Sequence, residues 1–389
     1  MFCEYFHSLK ALTLPASQRQ GDTGPSTPVL CAVGKSDATR RRSEAKKLRP
    51  KTEALDERRG QLMKRVSIRS VAISCFLLAA PSFAAADNAL FSSDDGNVVL
   101  FGDIGLANIK AQEFVYRGAK KCTDSGWESK GHKCSQLNWE SKGMTLFTVG
   151  VDAQIDNDWS LKGSVKVGTG GNGHMTDYDW LSPGHDDWSS RSIHPDTELD
   201  HYIAGAIEFD RIIYGNETSS VAVGAGVRYT DVKWTAYGGS RVYSRDGSFR
   251  NRSGTWPSGK GIISYRQKIP VGFVSLSGEH VLGDLTISGG IQGGLSFGIK
   301  DIDDHWLRDL RFWSDMSPAP TIGANVAVSY AVTPAASLYL SGSFERVFQM
   351  RGNTLLDDTA KGTRSPWVQD EAGANFESMS ISFGLKGTF

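Results

Sequence analysis

The chain closes on a stretch, Asn375 to Phe389, whose side chains sort by parity. Met379, Ile381, Phe383, Leu385 and Phe389 share one parity, while Ser378, Ser380, Ser382, Lys386 and Thr388 share the other. Successive side chains of an extended chain point to opposite faces, so this is a β-strand with one apolar and one polar face. Such a strand suits a soluble sandwich as well as a membrane barrel. The two are separated by whether other strands repeat the pattern and whether the chain carries an export signal.

The pattern recurs. Val98, Leu100, Ile104 and Leu106 share a parity, as do Phe147, Val149, Val151 and Ile155. Trp159, Leu161, Val165 and Val167 oppose Ser160, Lys162, Ser164 and Lys166. Val221 to Val227, Ile322 to Val332 and Leu338 to Phe344 alternate in the same way. No apolar run reaches the length of a membrane-spanning helix. A barrel strand escapes that test, because only alternate residues face lipid. Short turns, Asp156-Asn157-Asp158 and Thr333-Pro334-Ala335, alternate with long polar connections at about 117 to 134, 181 to 196, 238 to 260, 301 to 318 and 351 to 372. Short turns at one end and long loops at the other are the plan of an outer-membrane barrel. Closure leaves no edge and pairs every backbone group within lipid. The expectation is an all-β fold: a transmembrane antiparallel β-barrel forming one domain. The chain has 43 basic and 43 acidic residues, a balance that argues against nucleic acid as a partner.

Residues 1–62 are rich in Arg, Lys, Ser and Thr and lack apolar periodicity; they read as a disordered or misassigned extension. Residues 63–86 read as a signal peptide. Met63, Lys64, Arg65 and Arg69 form a positive start, Val71 to Ala80 an apolar run, and Ser82 to Ala86 a small-residue cleavage region. The barrel domain is expected over residues 87–389. Cleavage leaves only Cys122 and Cys134 of the five cysteines. They flank a polar loop, and in an oxidising compartment a disulfide between them is expected, stabilising by about 3 kcal/mol. Metal binding with His132 is the alternative, but that set lacks a full complement of ligands.

Two polar clusters lie at strand ends beside long connections. One is His174-Met175-Thr176-Asp177-Tyr178-Asp179-Trp180; the other is Asp301-Ile302-Asp303-Asp304-His305-Trp306. On a strand, Asp177 and Asp179 share a face, and so do Asp301, Asp303 and His305. A carboxylate beside a His fixes its tautomer and raises its basicity, and neighbouring carboxylates raise one another's proton affinity. Two such clusters across a barrel mouth would hold a water between a base and a carboxylate pair. The alternative is a set of solvated loop acids, with or without a bound cation. Parity raises a conflict. Leu285 to Ile299 put their odd residues on the lipid face, yet Asp301 and His305 are also odd; the same holds for Val165 and Val167 against Asp177. Either a bulge flips the register or these residues stand above the lipid. Gly168 to Gly173 offers a place for a bulge in the first case, and the second rests on height above the bilayer.

The chain resembles the omptin family of outer-membrane endopeptidases from about Asn97 to Phe389. The likeness runs through Ser135-Gln136-Leu137-Asn138-Trp139, Asp177-Tyr178-Asp179-Trp180, His194-Pro195-Asp196-Thr197, Gly238-Gly239-Ser240, Asp303-Asp304-His305, Arg351-Gly352-Asn353-Thr354 and Gly384 to Phe389, in that order. The resemblance implies ten strands extending above the outer membrane of a bacterial cell, with the active site facing outside. It implies an aspartic-type endopeptidase in which Asp303 and His305 form the catalytic Asp-His pair, Asp177 and Asp179 the carboxylate pair, and neither metal nor cofactor takes part. Glu113 and Asp301 match the family's acidic pocket for a basic P1 side chain, Arg or Lys. Ser190 stands where the family can carry an acid for P1′. Lys268 matches one basic position of the family's lipopolysaccharide grip, whereas Tyr229 and Asp231 replace an acid and an arginine. The implied partners are basic peptides or proteins and outer-membrane lipid, with the chain as a monomer and lipopolysaccharide as a requirement for activity. An inactive barrel serving as adhesin or structural protein is the competing reading; a passive porin needs no ordered acid clusters at its mouth.

Overall fold

The computed structural model describes residues 98–116, 133–182 and 185–389. The expected extension over 1–62, the signal peptide over 63–86, the first residues of the domain and Cys122 lie outside the described residues.

Every regular element among the described residues is a β-strand. In chain order they are β1 (Val98–Tyr116), β2 (Lys133–Gln154), β3 (Trp159–Thr169), β4 (Asn172–Asp179), β5 (Ser190–Gly215), β6 (Ser219–Arg245) and β7 (Ser248–Leu282). They continue with β8 (Leu285–Ser296), β9 (Lys300–His305), β10 (Leu310–Met316), β11 (Ala319–Thr333), β12 (Ala336–Asp358), β13 (Thr363–Arg364) and β14 (Val368–Thr388). The ladder runs antiparallel through β1, β2, β3, β5, β6, β7, β8, β11, β12 and β14, and β14 pairs back on β1. This is a closed ring of ten strands. Higher up, β4 takes the place of β3, and β9 and β10 take the places of β8 and β11, so ten staves continue upward. β13 is a short flap on β12.

Apolar side chains pair across the ladder on the outer face. Ile104 stands opposite Phe147 and Phe383, Phe147 opposite Val167, and Val167 opposite Ile203. Ile207 meets Val227, Leu276 meets Ile291, and Val328 meets Leu340, which faces Phe383. All of these are exposed. A belt of exposed branched and aromatic residues around a closed ring needs an apolar surround, which lipid supplies. Above the belt the outward positions turn polar, as at Asn108, Lys110 and Glu377. The lower turns are tight. Asp156 Oδ1 accepts from the amides of Asp158 and Trp159 at 2.8 Å, an Asx turn.

The inside has two levels. At lipid height it is polar: Lys162 pairs with Asp210 at 3.1 Å, and Tyr339 donates to Asp103 at 2.7 Å. Above it lies a packed layer. Trp139 stacks on Tyr265 (5.6 Å between centroids) and near Trp234 (6.4 Å), and Ile109, Met144, Met175 and Ile299 are fully buried around them. Trp234 spends its indole N–H on Ser141 at 2.9 Å. This layer is the floor on which the mouth is built.

The parity conflict resolves through two reversals. Val165 and Val167 point out, whereas Gly173, Met175 and Asp179 point in. Between them Gly170 and Gly171 take φ of +69° and +89°. Leu295 and Phe297 point out, whereas Ile299, Asp301 and Asp303 are buried, and Gly298 between them has φ of +100°. The second reversal corrects the expectation that the Asp301–His305 segment owes its placement to height alone. The polar stretches read as long loops are in large part strand. β6 and β7 run up to Arg245 and Ser248, and β9, β10 and β12 carry the ladder through regions expected to be irregular. Above the lipid both faces of a strand carry polar residues, so the period-two signal fades while the hydrogen bonding persists.

Gly298 is the sharpest local requirement. A Cβ there would lie 2.6 Å from the Met316 carbonyl oxygen, at a φ that L side chains rarely adopt. Gly298→Val is expected to lose most of the folded, heat-modifiable species on electrophoresis after refolding. Gly293→Ala, whose Cβ meets nothing within 4 Å, is expected to fold as the parent does.

Candidate active site

The mouth has two walls. On one, Glu113 (β1) stands beside Leu137 (β2), Leu137 beside Asp177 (β4), and Asp177 beside Ser192 (β5). On the other, Asp303 (β9) stands between Tyr265 (β7) and Phe312 (β10). The two sequence clusters, more than a hundred residues apart in the chain, are thereby brought to the same end of the barrel.

Asp303 and His305 lie two apart on one face of β9. His305 Nε2 is 2.6 Å from Asp303 Oδ2, and both residues are buried. A guanidinium nitrogen of Arg308 contacts His305 Nδ1. Guanidinium only donates, so Nδ1 carries the lone pair and the ring proton sits on Nε2, facing Asp303. Phe312 covers the ring edge-on at 5.4 Å. Burial pushes the imidazole pKa down, against the pull of Asp303. The ring is therefore poised as a neutral base at neutral pH.

Asp177 accepts from Ser135 Oγ at 3.2 Å. Burial first, and then Asp179, hold its pKa well above the usual carboxylate range. Asp179 is pushed up to about 6, chiefly by burial. Arg308 bears on both in the opposite sense, favouring the charged forms.

Beneath them lies a second acidic group. Asp301 is 1% exposed and accepts from Tyr265 Oη at 2.9 Å; Tyr265 in turn accepts from Gln267 Nε2 at 2.9 Å. Gln267 also reaches across the lumen to the Asn375 carbonyl at 3.2 Å. Burial pushes the Asp301 pKa up to about 7 despite hydrogen bonds from Ser314 and Tyr265. Glu113 is held well above the usual range by burial, then by Asp303, Asp301 and Asp177. Four buried carboxylate oxygens, Glu113 Oε2, Asp179 Oδ1, Asp301 Oδ1 and Asp303 Oδ1, have no hydrogen-bond partner among the described residues. Buried carboxylates that lack donors form a site suited to a cationic group.

Sequence reasoning missed several residues of this mouth. Tyr265 and Gln267 sit on an apolar-looking part of β7 and reach Asp301 only through the ladder. Arg308 lies in the turn after β9, where an Arg carries no pattern. Tyr243, whose pKa burial and the Asp177 and Asp179 charges push up, lies in a stretch read as loop. Ser190 is buried directly across from Asp179. Lys268 lies on the outer wall, away from the mouth, in register with Asp231 and Lys300. Asp231 is gripped by Arg266 (2.8 Å to Nε) and His201 (2.9 Å). Cys134 is buried at the start of β2, and its expected partner Cys122 lies outside the described residues.

A model described as the Omptin family matches residues 95–389. Protease 7 of Escherichia coli strain K12 is 29% identical over 324 residues, covering 80% of this chain and 96% of that protein. Plasminogen activator of Yersinia pestis is 25% identical over 333 residues, covering 84% of this chain and 100% of that one. The crystal structure of outer membrane protease OmpT from Escherichia coli matches with a TM-score of 0.69 at 25% identity, covering 78% of this chain and 100% of that one.

The buried acids oppose folding at high pH. In the unfolded chain Asp301 titrates near 4, while in the folded barrel its pKa is about 7. Between those values the folded state binds more protons, so stability falls as pH rises through the window. Below it both states are protonated and nothing is lost. Asp301→Asn is therefore expected to match the parent at pH 4 and to be more stable above pH 7, by up to about 4 kcal/mol. Urea titrations in detergent at the two pH values check this, and equal stability at pH 8 would count against the assignment.

Proposed function

The chain belongs to the omptin family, a family of outer-membrane proteases, and on that premise we propose that it is an endopeptidase cutting after Arg or Lys by direct activation of water. What supports the reading is the hydrogen-bonded Asp303–His305 pair, whose Nδ1 carries the lone pair, at the same end of the barrel as the buried, acid-rich segment of Asp177 and Asp179. In this reading His305 takes a proton from a water that attacks the scissile carbonyl. Asp303 orients the ring and stabilises the imidazolium as it forms. Asp177 and Asp179 position the water, with at least one of them ionised. His305 then returns its proton to the departing amine.

Glu113 and Asp301 are the P1 receptors. A guanidinium or ammonium entering this pocket replaces protons with a charge-assisted pairing. Ser190 leaves the P1′ side without an acid at that position, so a basic P1′ is not favoured there. On the outer wall Lys268, with Arg266 on the same strand, forms the lipid-facing contribution, and lipopolysaccharide supports activity through it. Asp231 ties up Arg266, so this grip is weaker than one built of free cations. The Cys122–Cys134 disulfide staples the first outer loop, and the protein acts as a monomer without metal or cofactor.

The test is cleavage of a fluorogenic Arg-Arg or Arg-Lys peptide by lipid-reconstituted protein. His305→Ala is expected to lower kcat/KM by about 10²- to 10⁴-fold. Glu113→Gln is expected to weaken peptides with Arg at P1 by about 10-fold or more, mainly through KM. If the parent and His305→Ala cleave equally, the mechanism is wrong. If neither cleaves any basic peptide, the barrel is not a protease of this kind.

A further inference from the structure

Hydrolysis of an amide places negative charge on the carbonyl oxygen, and the described strands that carry the acid clusters offer it little backbone support. Asp177 and Asp179 belong to β4, which pairs with β2 on one side and β5 on the other. Asp303 and His305 belong to β9, which pairs with β7 and β10. Backbone amides in strands flanked on both sides are spent on the ladder. An oxyanion site made of backbone N–H groups, as at a helix start, is thus not offered by these strands. A side-chain donor has to serve.

Among the described residues several cations of the upper barrel are engaged with other groups, although Arg351 keeps Nε and Nη2 without a hydrogen-bond partner. Arg241 stacks on Trp256 at 4.5 Å, Arg311 pairs with Asp304 at 2.6 Å, Arg250 with Asp187 at 2.6 Å and Arg351 with Asp370 at 2.9 Å. Arg308 differs. Its guanidinium lies on His305 Nδ1, the nitrogen that the reaction requires as base. Its charge also bears on Asp177, Asp179 and Tyr243, groups of the opposite wall. The turn that carries it is fixed: the Arg308 amide donates to the His305 carbonyl at 3.0 Å, and Trp306 Nε1 donates to Ser264 Oγ at 2.6 Å. A cation on Nδ1 and a proton arriving at Nδ1 exclude each other. The guanidinium must leave as water is deprotonated, at the moment when an anion forms within its reach.

We infer that Arg308 is the oxyanion-stabilising catalytic residue, held on His305 Nδ1 in the free enzyme and transferred to the carbonyl oxygen as the tetrahedral intermediate forms. The inference rests on the protease reading above. The step balances. Water's oxygen bonds to the carbonyl carbon, its proton goes to His305 Nδ1, and the C=O π pair becomes the oxyanion paired with Arg308. On collapse the C–N bond breaks, the C=O bond re-forms, the imidazolium proton goes to the amine, and Arg308 returns to Nδ1. While parked, Arg308 also holds the ring in the tautomer that keeps Nδ1 ready.

The experiment compares wild type, His305→Ala, Arg308→Ala and Arg308→Lys on a basic-P1 peptide, with folding checked by heat-modifiable mobility. Arg308→Ala is expected to lower kcat by about 10²- to 10³-fold with KM little changed. Without the neighbouring cation His305 protonates more readily, so the acid limb of its kcat/KM profile moves to higher pH. Arg308→Lys, which keeps the charge without the fork, is expected to fall between, and added guanidinium is expected to restore part of the Arg308→Ala rate. A folded Arg308→Ala enzyme as fast as wild type or faster, or one altered in KM alone, overturns the inference. If Arg308→Ala fails to fold, Arg308→Lys decides: a kcat below wild type at little-changed KM supports the inference, and a rate equal to wild type or a change in KM alone overturns it. Wild type that cleaves nothing overturns the protease reading itself.

Discussion

A strand side chain has two directions, and the whole design turns on reversing them between the lipid and the mouth. At lipid height the odd residues of β3 and β8 must face out, because Val165, Val167, Ile287 and Ile291 need an apolar surround. A few residues higher, the odd residues face in, placing Asp177, Asp301, Asp303 and His305 on the inner side. A continuous strand cannot meet both demands. Glycines at positive φ meet them: Gly170 and Gly171 on one stave, and Gly298 on another. The reversals fall on both walls, just above the belt, so the two acid segments turn inward toward each other. Without either one, a wall would present its reacting groups to the outside.

What holds the inward groups in place is closure. Each of these carboxylates is desolvated, and burial is the leading cause of every upward shift among them. A flexible loop would relieve that cost by opening to water. A strand hydrogen-bonded on both sides, resting on the stacked layer of Trp139, Trp234 and Tyr265, is held in place. The barrel thereby holds its acids in a desolvated state that a cationic substrate, as proposed, would relieve. The proposed affinity for Arg or Lys and the expected destabilisation at high pH would both arise from the same desolvated acids.

The sequence was legible where lipid enforces a period of two. The last strand, β14, reads off its parity directly, and so do the lower halves of β1, β2, β3 and β11. The tight lower turns declare themselves through Asp156 and Pro334. Legibility stops where the surround changes. Above the belt, water outside and a polar mouth inside erase the contrast between the faces, so the upper parts of β6, β7 and β12 pass for loop. The parity of Asp177 pointed to a bulge among the glycines near 170, whereas one glycine after Phe297 gave no comparable warning. Tyr265 and Arg308 were hidden for a different reason. Their neighbours in the chain say nothing of the groups they meet, which the ladder and one tight turn bring to them.

Building a hydrolytic site from paired strands has a chemical consequence. Loops and helix starts lend free amides to a reaction; a closed ladder does not. In the proposed mechanism the chemistry is therefore carried by side-chain charge: a carboxylate to hold the base, a carboxylate pair to hold water, and acids to seat a cation. A mouth assembled from anions alone would oppose the oxyanion that amide hydrolysis creates. On the inference drawn for Arg308, the guanidinium beside His305 is the group that changes this balance, since its charge reaches both walls while one of its nitrogens contacts the base. A cation so placed reconciles an acid-rich pocket, needed to hold a basic substrate, with an intermediate that is itself negative.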